Sequence, residues 1–558
     1  MKRNLFLYAM FMLLSLSLKA TNDSIRIAFI SDPHIQDVIG HPELLRTMDA
    51  QVQSTRLFNE NIFAFRAALD DVVQRGIKLV VLGGDITDDG QIMNQTAAAL
   101  ILQEYEEKHG LSFFMTPGNH DPASPNGKHL PRKVYLNSDG STRTVVSDSS
   151  VYRPGDEVVP SLYSVGHAEQ MDCYRRYGYF LRKDYKYWSA PFCDVPYGQY
   201  TFAGALSVSD KERRQFEYAS GCRAYDASYV VEPVEGLWLI SIDSGVYLPD
   251  GNTGKYKNSG VGYNNTLLHK PYLVPWVKKV YDDALRLGKQ VIAFSHFPVL
   301  DFNNGASEIL ARSWGQDKFD IERVPTNEVS LAMHKAGVRL HFGGHMHVNN
   351  RSSMTIDGET MLNVQIPSLA TCIPAYHVLT INCSDGRYDI ATIVIDEVPD
   401  FDTFFETYRK EYEYTKSQGK SPIWSIEALQ SKTYGEFCDW QFRDLVRTRF
   451  AVRDLPKVLR EEMLPKSGYE LMRRIGKNRK TDKAFMTWNG LDLLVDFYRF
   501  HYSGNLALRY ITQERLSQYK QLFDAIERSK EDSEFMRQMR DFAAAFCLFA
   551  DYFASNEV

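Results

Sequence analysis

Five short polar segments constrain this sequence more than any other feature. In order they are Asp32-Pro33-His34, Gly84-Asp85, Gly118-Asn119-His120-Asp121, Ser295-His296 and Gly344-His345-Met346-His347. Each ends or follows a short apolar run with the composition of a buried strand, at residues 24–31, 77–82, 111–115, 290–295 and 338–342. Helical periods at 58–75, 91–109, 272–287 and 327–336 alternate with these runs, and further strand patterns lie at 228–231, 237–242, 352–355, 359–364 and 378–382. Such alternation predicts a layered α/β domain. Open α/β sheets bind ligands beyond the carboxyl ends of their strands, where all five segments fall.

The residue types at that edge set the chemistry. Asp, Asn and His offer only oxygen and nitrogen donors, a set suited to transition metals such as Mn, Fe or Zn. In an extended segment residues i and i+2 point the same way, so Asp32 can share a metal with His34, and His345 and His347 can face one cavity. Asp85, behind two glycines, can place its carboxylate between two cations, and Asn119 adds a neutral oxygen. An isolated Asp-x-His or Gly-Asp is commonplace; five segments in order, each behind a strand, are not. Of the 14 histidines, five belong to these segments, whereas the seven cysteines include no CxxC pair, which excludes a thiolate zinc site and a disulfide scaffold. The net charge of −6 gives no sign of a nucleic-acid-binding surface.

The segments together resemble the calcineurin-like metallophosphoesterase superfamily, with its DxH, GD, GNH[DE], H and GHxH pattern. The resemblance covers about residues 25–395, and Gly84-Asp85-Ile86-Thr87-Asp88-Asp89-Gly90 is most similar to its exported, cyclic-nucleotide-phosphodiesterase-like branch. It implies a four-layered α/β/β/α sandwich and two divalent or trivalent transition-metal ions. Asp32, His34, Asp85 and His347 would hold one ion, and Asp85, Asn119, His296 and His345 the other. His120 falls on the catalytic histidine, with Asp121 as its expected orienting partner. The implied reaction is in-line attack on phosphorus by a hydroxide bridging the two metals. Asp89 and Asp121 stand where the protein-dephosphorylating members carry Arg and Glu, which disfavours a protein substrate. A small phosphoester is expected, with phosphodiester cleavage preferred; phosphomonoester hydrolysis and a non-catalytic binding role on the same fold stay open.

The remaining sequence divides into three parts. Lys2 and Arg3 ahead of an apolar run ending near Leu18 make residues 1–20 a signal peptide, so a periplasmic or secreted protein is expected. Residues 21–396 make the sandwich, and 122–225 form an insertion adjoining His120, expected to wall the pocket. Its run Tyr174, Tyr177, Tyr179, Tyr185, Tyr187 and Trp188 either lines a cleft or packs the insertion down. Residues 397–558 read as a separate all-α domain whose aromatics Phe497, Tyr498, Phe500 and Tyr502 form helix–helix core. Asp88 and Asp89 read as helix caps, His341 as a packed strand residue, and Asp243-Ser244-Gly245 as a turn. No further apolar run has the length of a membrane span, and the oligomeric state is not readable.

Overall fold

The computed structural model describes residues 24–476 and 483–555, apart from residues 123, 130, 131, 220, 252–254 and 384. The expected signal peptide lies outside the described residues.

Along the chain come strands β1 (Ser24–Ile30), β2 (Leu79–Leu82) and β3 (Ser112–Met115). The insertion supplies β4 (Lys133–Leu136), β5 (Thr142–Val146), β6 (Glu157–Val158), β7 (Tyr187–Ser189), β8 (Gln215–Ala219) and β9 (Cys222–Tyr225). Then follow β10 (Tyr229–Val234), β11 (Leu237–Ser241), β12 (Gln290–Ser295), β13 (Leu340–Gly343), β14 (Asn350–Ile356), β15 (Glu359–Gln365), β16 (Ala375–Asn382) and β17 (Tyr388–Val394). They build a five-stranded sheet, ordered β17-β16-β1-β2-β3, and a seven-stranded sheet, ordered β14-β15-β13-β12-β11-β10-β7.

The two sheets pack face to face, with Phe29 stacked on Phe342 at a ring separation of 3.7 Å. The period-2 alternation of strand side chains explains the layering. In β11, Leu237 and Leu239 join the inter-sheet core, while Trp238 and Ile240 join the cluster under the outer helices. That outer layer includes Leu273–Leu287 and Asn327–Lys335, which bury Val277, Val280, Val329 and Met333. Helices Asn61–Gln74 and Ile92–His109 cover the five-stranded sheet with Phe65, Leu69, Ile101 and Leu102. The result is the expected α/β/β/α sandwich.

β1, β2 and β3 run parallel, as do β11, β12 and β13, so their carboxyl ends gather along one edge. The five polar segments leave the sheets there.

The insertion is partly woven into the sandwich. β4, β5 and β6 form a small sheet, β8 and β9 a hairpin, and β7 pairs with β10 as the edge of the seven-stranded sheet. Tyr174, Tyr177, Tyr179, Tyr185, Tyr187 and Trp188 are all buried, so this aromatic run fastens the insertion to the sandwich. The seven cysteines are unpaired.

The C-terminal region is helical, from Phe405–Ser417 to Glu534–Ser555. Its apolar residues are shared with the sandwich along two seams. Tyr408, Trp424, Tyr434 and Phe437 belong to the same core as Ile27 and Phe29. Phe442, Phe450, Tyr498 and Tyr502 pack with Phe302, Phe319, Met346 and Val348. Truncating one such buried aromatic typically costs about 3–5 kcal/mol, so these seams bind the two parts firmly. Among the described residues, no helix is long and apolar enough to cross a membrane.

Candidate metal centre

The edge of the sandwich brings the predicted ligands into two adjoining groups. Asp32, His34 and His347 offer donor atoms within 4.8 Å of one another, and so do Asp85, His296 and His345. In the first group His34 Nε2 lies 3.1 Å from His347 Nε2, and His347 Nε2 lies 3.3 Å from Asp32 Oδ1. In the second, His296 Nε2 lies 3.0 Å from Asn119 Oδ1 and 3.3 Å from Asp85 Oδ2. Asp85 also reaches toward the first group, with Oδ2 3.8 Å from His34 Nε2. Every sequence-predicted ligand therefore falls in one place.

Backbone geometry marks the same residues. Asp32, His34, Asp85, His345 and His347 have φ between 45° and 70°, the left-handed region, as does Asp89 at 56°. Each such non-glycine residue costs on the order of 1–3 kcal/mol, and strain of this kind concentrates at functional sites. The strain turns these side chains inward immediately beyond their strands. Two glycines leave room for the carboxylates. A Cβ on Gly118 would lie 2.0 Å from Asp85 Oδ1, and one on Gly344 would lie 2.5 Å from Asp32 Oδ2.

The remaining atoms hold the donors in place. The His345 N–H donates to Asp32 at 3.0 Å, and the His120 N–H to Asp85 Oδ1 at 2.7 Å. His296 Nδ1 faces the Gly83 carbonyl at 2.9 Å, and His345 Nε2 faces the Gly260 carbonyl at 2.9 Å. A carbonyl accepts only from a protonated nitrogen, so His296 presents the lone pair of Nε2 and His345 that of Nδ1. His347 Nδ1 faces the Thr55 carbonyl at 3.4 Å, leaving Nε2 for the cluster. Ring nitrogens anchored this way are the usual support of metal-binding imidazoles.

The electrostatics fit a cation. Burial, then the charge of Arg56, holds His34 well below the ordinary histidine value, so its ring is a neutral donor. Burial likewise holds His345 low. Burial alone would raise Asp85, but the charge of His296, with the hydrogen bond between them, outweighs it and holds the carboxyl well below its usual range. His296 goes the other way: Asp85 and Asp32 overcome burial and raise it to about 9. The carboxylates thus draw positive charge to this point, and a bound metal satisfies the same field in place of the proton. Convergent carboxylates, an amide oxygen and neutral imidazoles, with no thiolate, suit a pair of transition-metal ions.

His120 adjoins both groups, its ring 5.2 Å from that of His34. Its expected partner is not the observed one. Asp121 is turned away, accepting the Thr87 N–H at 2.9 Å and the Gly118 N–H at 3.2 Å, and so it ties the second and third motifs together. The carboxylate beside His120 belongs to Asp89, whose Oδ1 lies 3.1 Å from Nδ1. Arg56 Nη2 approaches the same nitrogen at 3.3 Å and also donates to Asp88 Oδ1 at 2.5 Å. Lys133 pairs with Asp89. Asp88 and Asp89 therefore do not cap a helix. The following helix has Gln91 at its N-cap, without a side-chain bond. The helix-cap expectation fails because Arg46, Arg56, Lys133 and His120 claim both carboxylates.

The other candidates lie apart from the donors. His341 is buried in β13 between Ser295 Oγ and Asn363 Oδ1, both at 2.8 Å, as a packed strand residue. Asp243 pairs with Lys270 at 3.2 Å and His167 at 3.4 Å in a buried network beneath the insertion.

The donors open into a cavity of about 240 Å³. Its walls correct a second expectation. Among the described residues none of the insertion lines it; the walls are Thr55 and Arg56, Asp320 and Arg323, and Arg449, Arg453 and Tyr502 of the helical region. The insertion reaches the Asp89 loop through Lys133, which pairs with the carboxylate, and through Ser164, whose Oγ donates to the Asp89 carbonyl at 2.6 Å, while its aromatics pack on the sandwich. The helical region instead grips the ligand loop, where the Asn349 N–H donates to the Tyr502 carbonyl at 2.8 Å. A larger cavity of about 600 Å³ lies between helices Gln513–Arg528 and Glu534–Ser555, lined by residues such as Leu516, Phe523 and Phe546, and includes none of the motif residues.

The calcineurin-like phosphoesterase family matches residues 25–349. Among curated proteins no sequence matches. Among solved structures, a dimetal phosphatase from Danio rerio is similar with a TM-score of 0.36 and 12% identity, covering 66% of this chain and 98% of that one. GAP50, the anchor in the inner membrane complex of Plasmodium, is similar with a TM-score of 0.32 and 11% identity, covering 67% of this chain and 84% of that one.

Proposed function

Because this chain belongs to the calcineurin-like phosphoesterase family, we propose that it hydrolyses a small phosphoester at a centre of two metal ions. The observation that carries this reading is the convergence of two donor groups, Asp32/His34/His347 and Asp85/His296/His345, on one edge of the sandwich. Asp32, His34, Asp85 and His347 would hold one ion; Asp85, Asn119, His296 and His345 would hold the other. Mn, Fe and Zn all suit this donor set. When bound, such a pair supplies charge neutralisation at the phosphoryl oxygens and activation of water.

The chain's own residues do the rest. Asp89 accepts from Nδ1–H of His120 and fixes the orientation of the ring, leaving Nε2 to donate a proton to the leaving oxygen. Arg56, held by Asp88, keeps a guanidinium at the mouth of the same cavity. The buried strands behind the ligands exclude water from the far side of the centre.

Phosphodiester cleavage is the reading that the Gly84–Gly90 motif favours. Phosphomonoester hydrolysis is the second, favoured by the compact cavity with its four arginines. Rates on bis-p-nitrophenyl phosphate and p-nitrophenyl phosphate, with Mn, Fe or Zn supplied, separate the two. A protein that binds metal and hydrolyses neither, nor other phosphoesters of either kind, would instead be a binding protein on this fold. The complete set of donors argues against that.

A further inference from the structure

The helical region and the Asp320–Arg323 turn of the sandwich together give the cavity a wall of unusual charge. Three guanidinium groups, of Arg323, Arg449 and Arg453, line the cavity together with the metal donors His34, Asp85, Asn119, His345 and His347. Two carboxylates serve them. Asp454 takes Arg453 in a paired contact at 2.6 and 2.8 Å, and Asp320 stands 3.6 Å from Arg453 and 3.8 Å from Arg323. Arg449 donates to the Gln53 carbonyl at 2.9 Å, and among the described residues no carboxylate comes within 4.0 Å of it. The wall therefore holds more positive charge than its own acids neutralise. Burial, and after it the neighbouring charge of Arg453, pushes the Arg449 guanidinium down from its ordinary value.

This wall is built, not incidental. Arg449 and Arg453 stand four residues apart, hence on one helix face. They lie at a turn of π-helix, Val446–Phe450, running into Ala451–Arg453. Such bulges recur at functional sites, where they redirect side chains. Beside Arg453, consecutive left-handed residues Phe319 and Asp320, with φ of 53° and 55°, set the turn that carries Arg323. Arg56 stands apart from this group, held at 2.5 Å by Asp88, a carboxylate it shares with Arg46 and Lys133.

Guanidinium groups recognise phosphate and carboxylate through paired, charge-assisted hydrogen bonds. A phosphoryl group at the metal donors leaves Arg323 and Arg449 to meet whatever the rest of the substrate presents. We propose that Arg323 and Arg449 form a second anion subsite, so that the substrate is a compact molecule with a second phosphate or carboxylate beside the phosphoester. This rests on the reading of the metal centre as a phosphoester site. A cavity of about 240 Å³ admits a small molecule of this kind and excludes a bulky one.

The test is calorimetric binding to the full-length, metal-loaded protein. The probes are propylphosphonate, 3-phosphonopropionate and propane-1,3-bisphosphonate. The doubly anionic probes are expected to bind at least about tenfold more tightly than propylphosphonate. Whether the phosphonate or the carboxylate gains more identifies the second group. Arg449→Met, or Arg323→Met if the first does not fold, should bring the ratio close to one while metal content is retained. Equal binding of all three probes by the wild type, or a preference unchanged in both variants, overturns the proposal. The p-nitrophenyl ester rates are measured alongside. Activity without a preference refutes this subsite alone. A preference without activity on any phosphoester refutes the hydrolase reading and leaves the subsite standing.

Discussion

Nδ1 of His120 lies 3.1 Å from Oδ1 of Asp89, a residue 31 positions earlier in the chain, and Asp121 faces elsewhere. The histidine that adjoins the metal donors is thus oriented from the loop after β2. The two aspartates separate into different roles, one positioning the ring and one fastening the loops beneath it.

Replacing Asp89 with Asn should therefore lower kcat by about 10–100-fold with little change in KM, because the ring loses the carboxylate that orients it. Metal content should stay at the wild-type level. Asp121→Ala should act mainly on stability, by about 1–3 kcal/mol, since it leaves the Thr87 and Gly118 N–H groups without their acceptor. Denaturant melts and steady-state kinetics on both variants check this; a larger kcat loss in a stably folded Asp121→Ala would contradict it.

Gly118→Ala should empty the centre without touching a ligand. The added Cβ would fall 2.0 Å from Asp85 Oδ1 and 2.2 Å from Asp85 N, so the shared carboxylate has to move. Metal analysis is expected to show at least one ion lost per chain, with activity falling in parallel.

Stability should fall as the pH rises toward 8. Glu60 and Glu411, buried at the seam with helix Phe405–Ser417, are each raised to about 7, above an ordinary value of 4.5. Burial is the main cause for both. Glu60 accepts from Tyr408 OH at 2.5 Å through one oxygen, and its other oxygen has no partner, as suits a protonated carboxyl. The folded chain keeps protons that the unfolded chain releases between about pH 4.5 and 7, so this contribution is full below that window and is lost through it. Thermal melts at pH 5.5 and 8 should show a lower Tm at pH 8, and Glu60→Gln should narrow the gap. An unchanged gap in Glu60→Gln and in Glu411→Gln would count against it.

The chain cut after residue 396 should fail to fold as a soluble sandwich. The cut removes Tyr408, Tyr434 and Phe437 from the core around Ile27 and Phe29 and strips the cover from Met346 and Val348. Loss of native-like circular dichroism or precipitation on expression is the expected result; a cooperative melt would contradict it.

The sequence made the centre legible because strand and motif are local. A buried apolar run followed by Asp, Asn or His announces a side chain at a sheet edge, and β1, β2, β3, β12 and β13 all follow that pattern. The partner of His120 was not legible, since adjacency suggests Asp121 and only the crossing of two loops brings in Asp89. The cavity walls were hidden for the same reason. Arg449 and Arg453 lie about a hundred residues beyond the last motif, and their helical spacing is that of any exposed helix face. β7 escaped notice because a three-residue strand within a Tyr-rich stretch has too few positions to show a period. β17 alternates weakly, as its outer face is open to solvent.

The central claim is best tested by counting metals per chain in the wild type and in Asp85→Ala while measuring phosphoester hydrolysis on the same samples. Asp85 faces both donor groups, so the account predicts about two ions per wild-type chain, loss of both or nearly both in the variant, and a fall in rate of roughly a thousandfold or more. Hydrolysis that persists in metal-stripped wild type, or in an Asp85→Ala protein without bound metal, would contradict it.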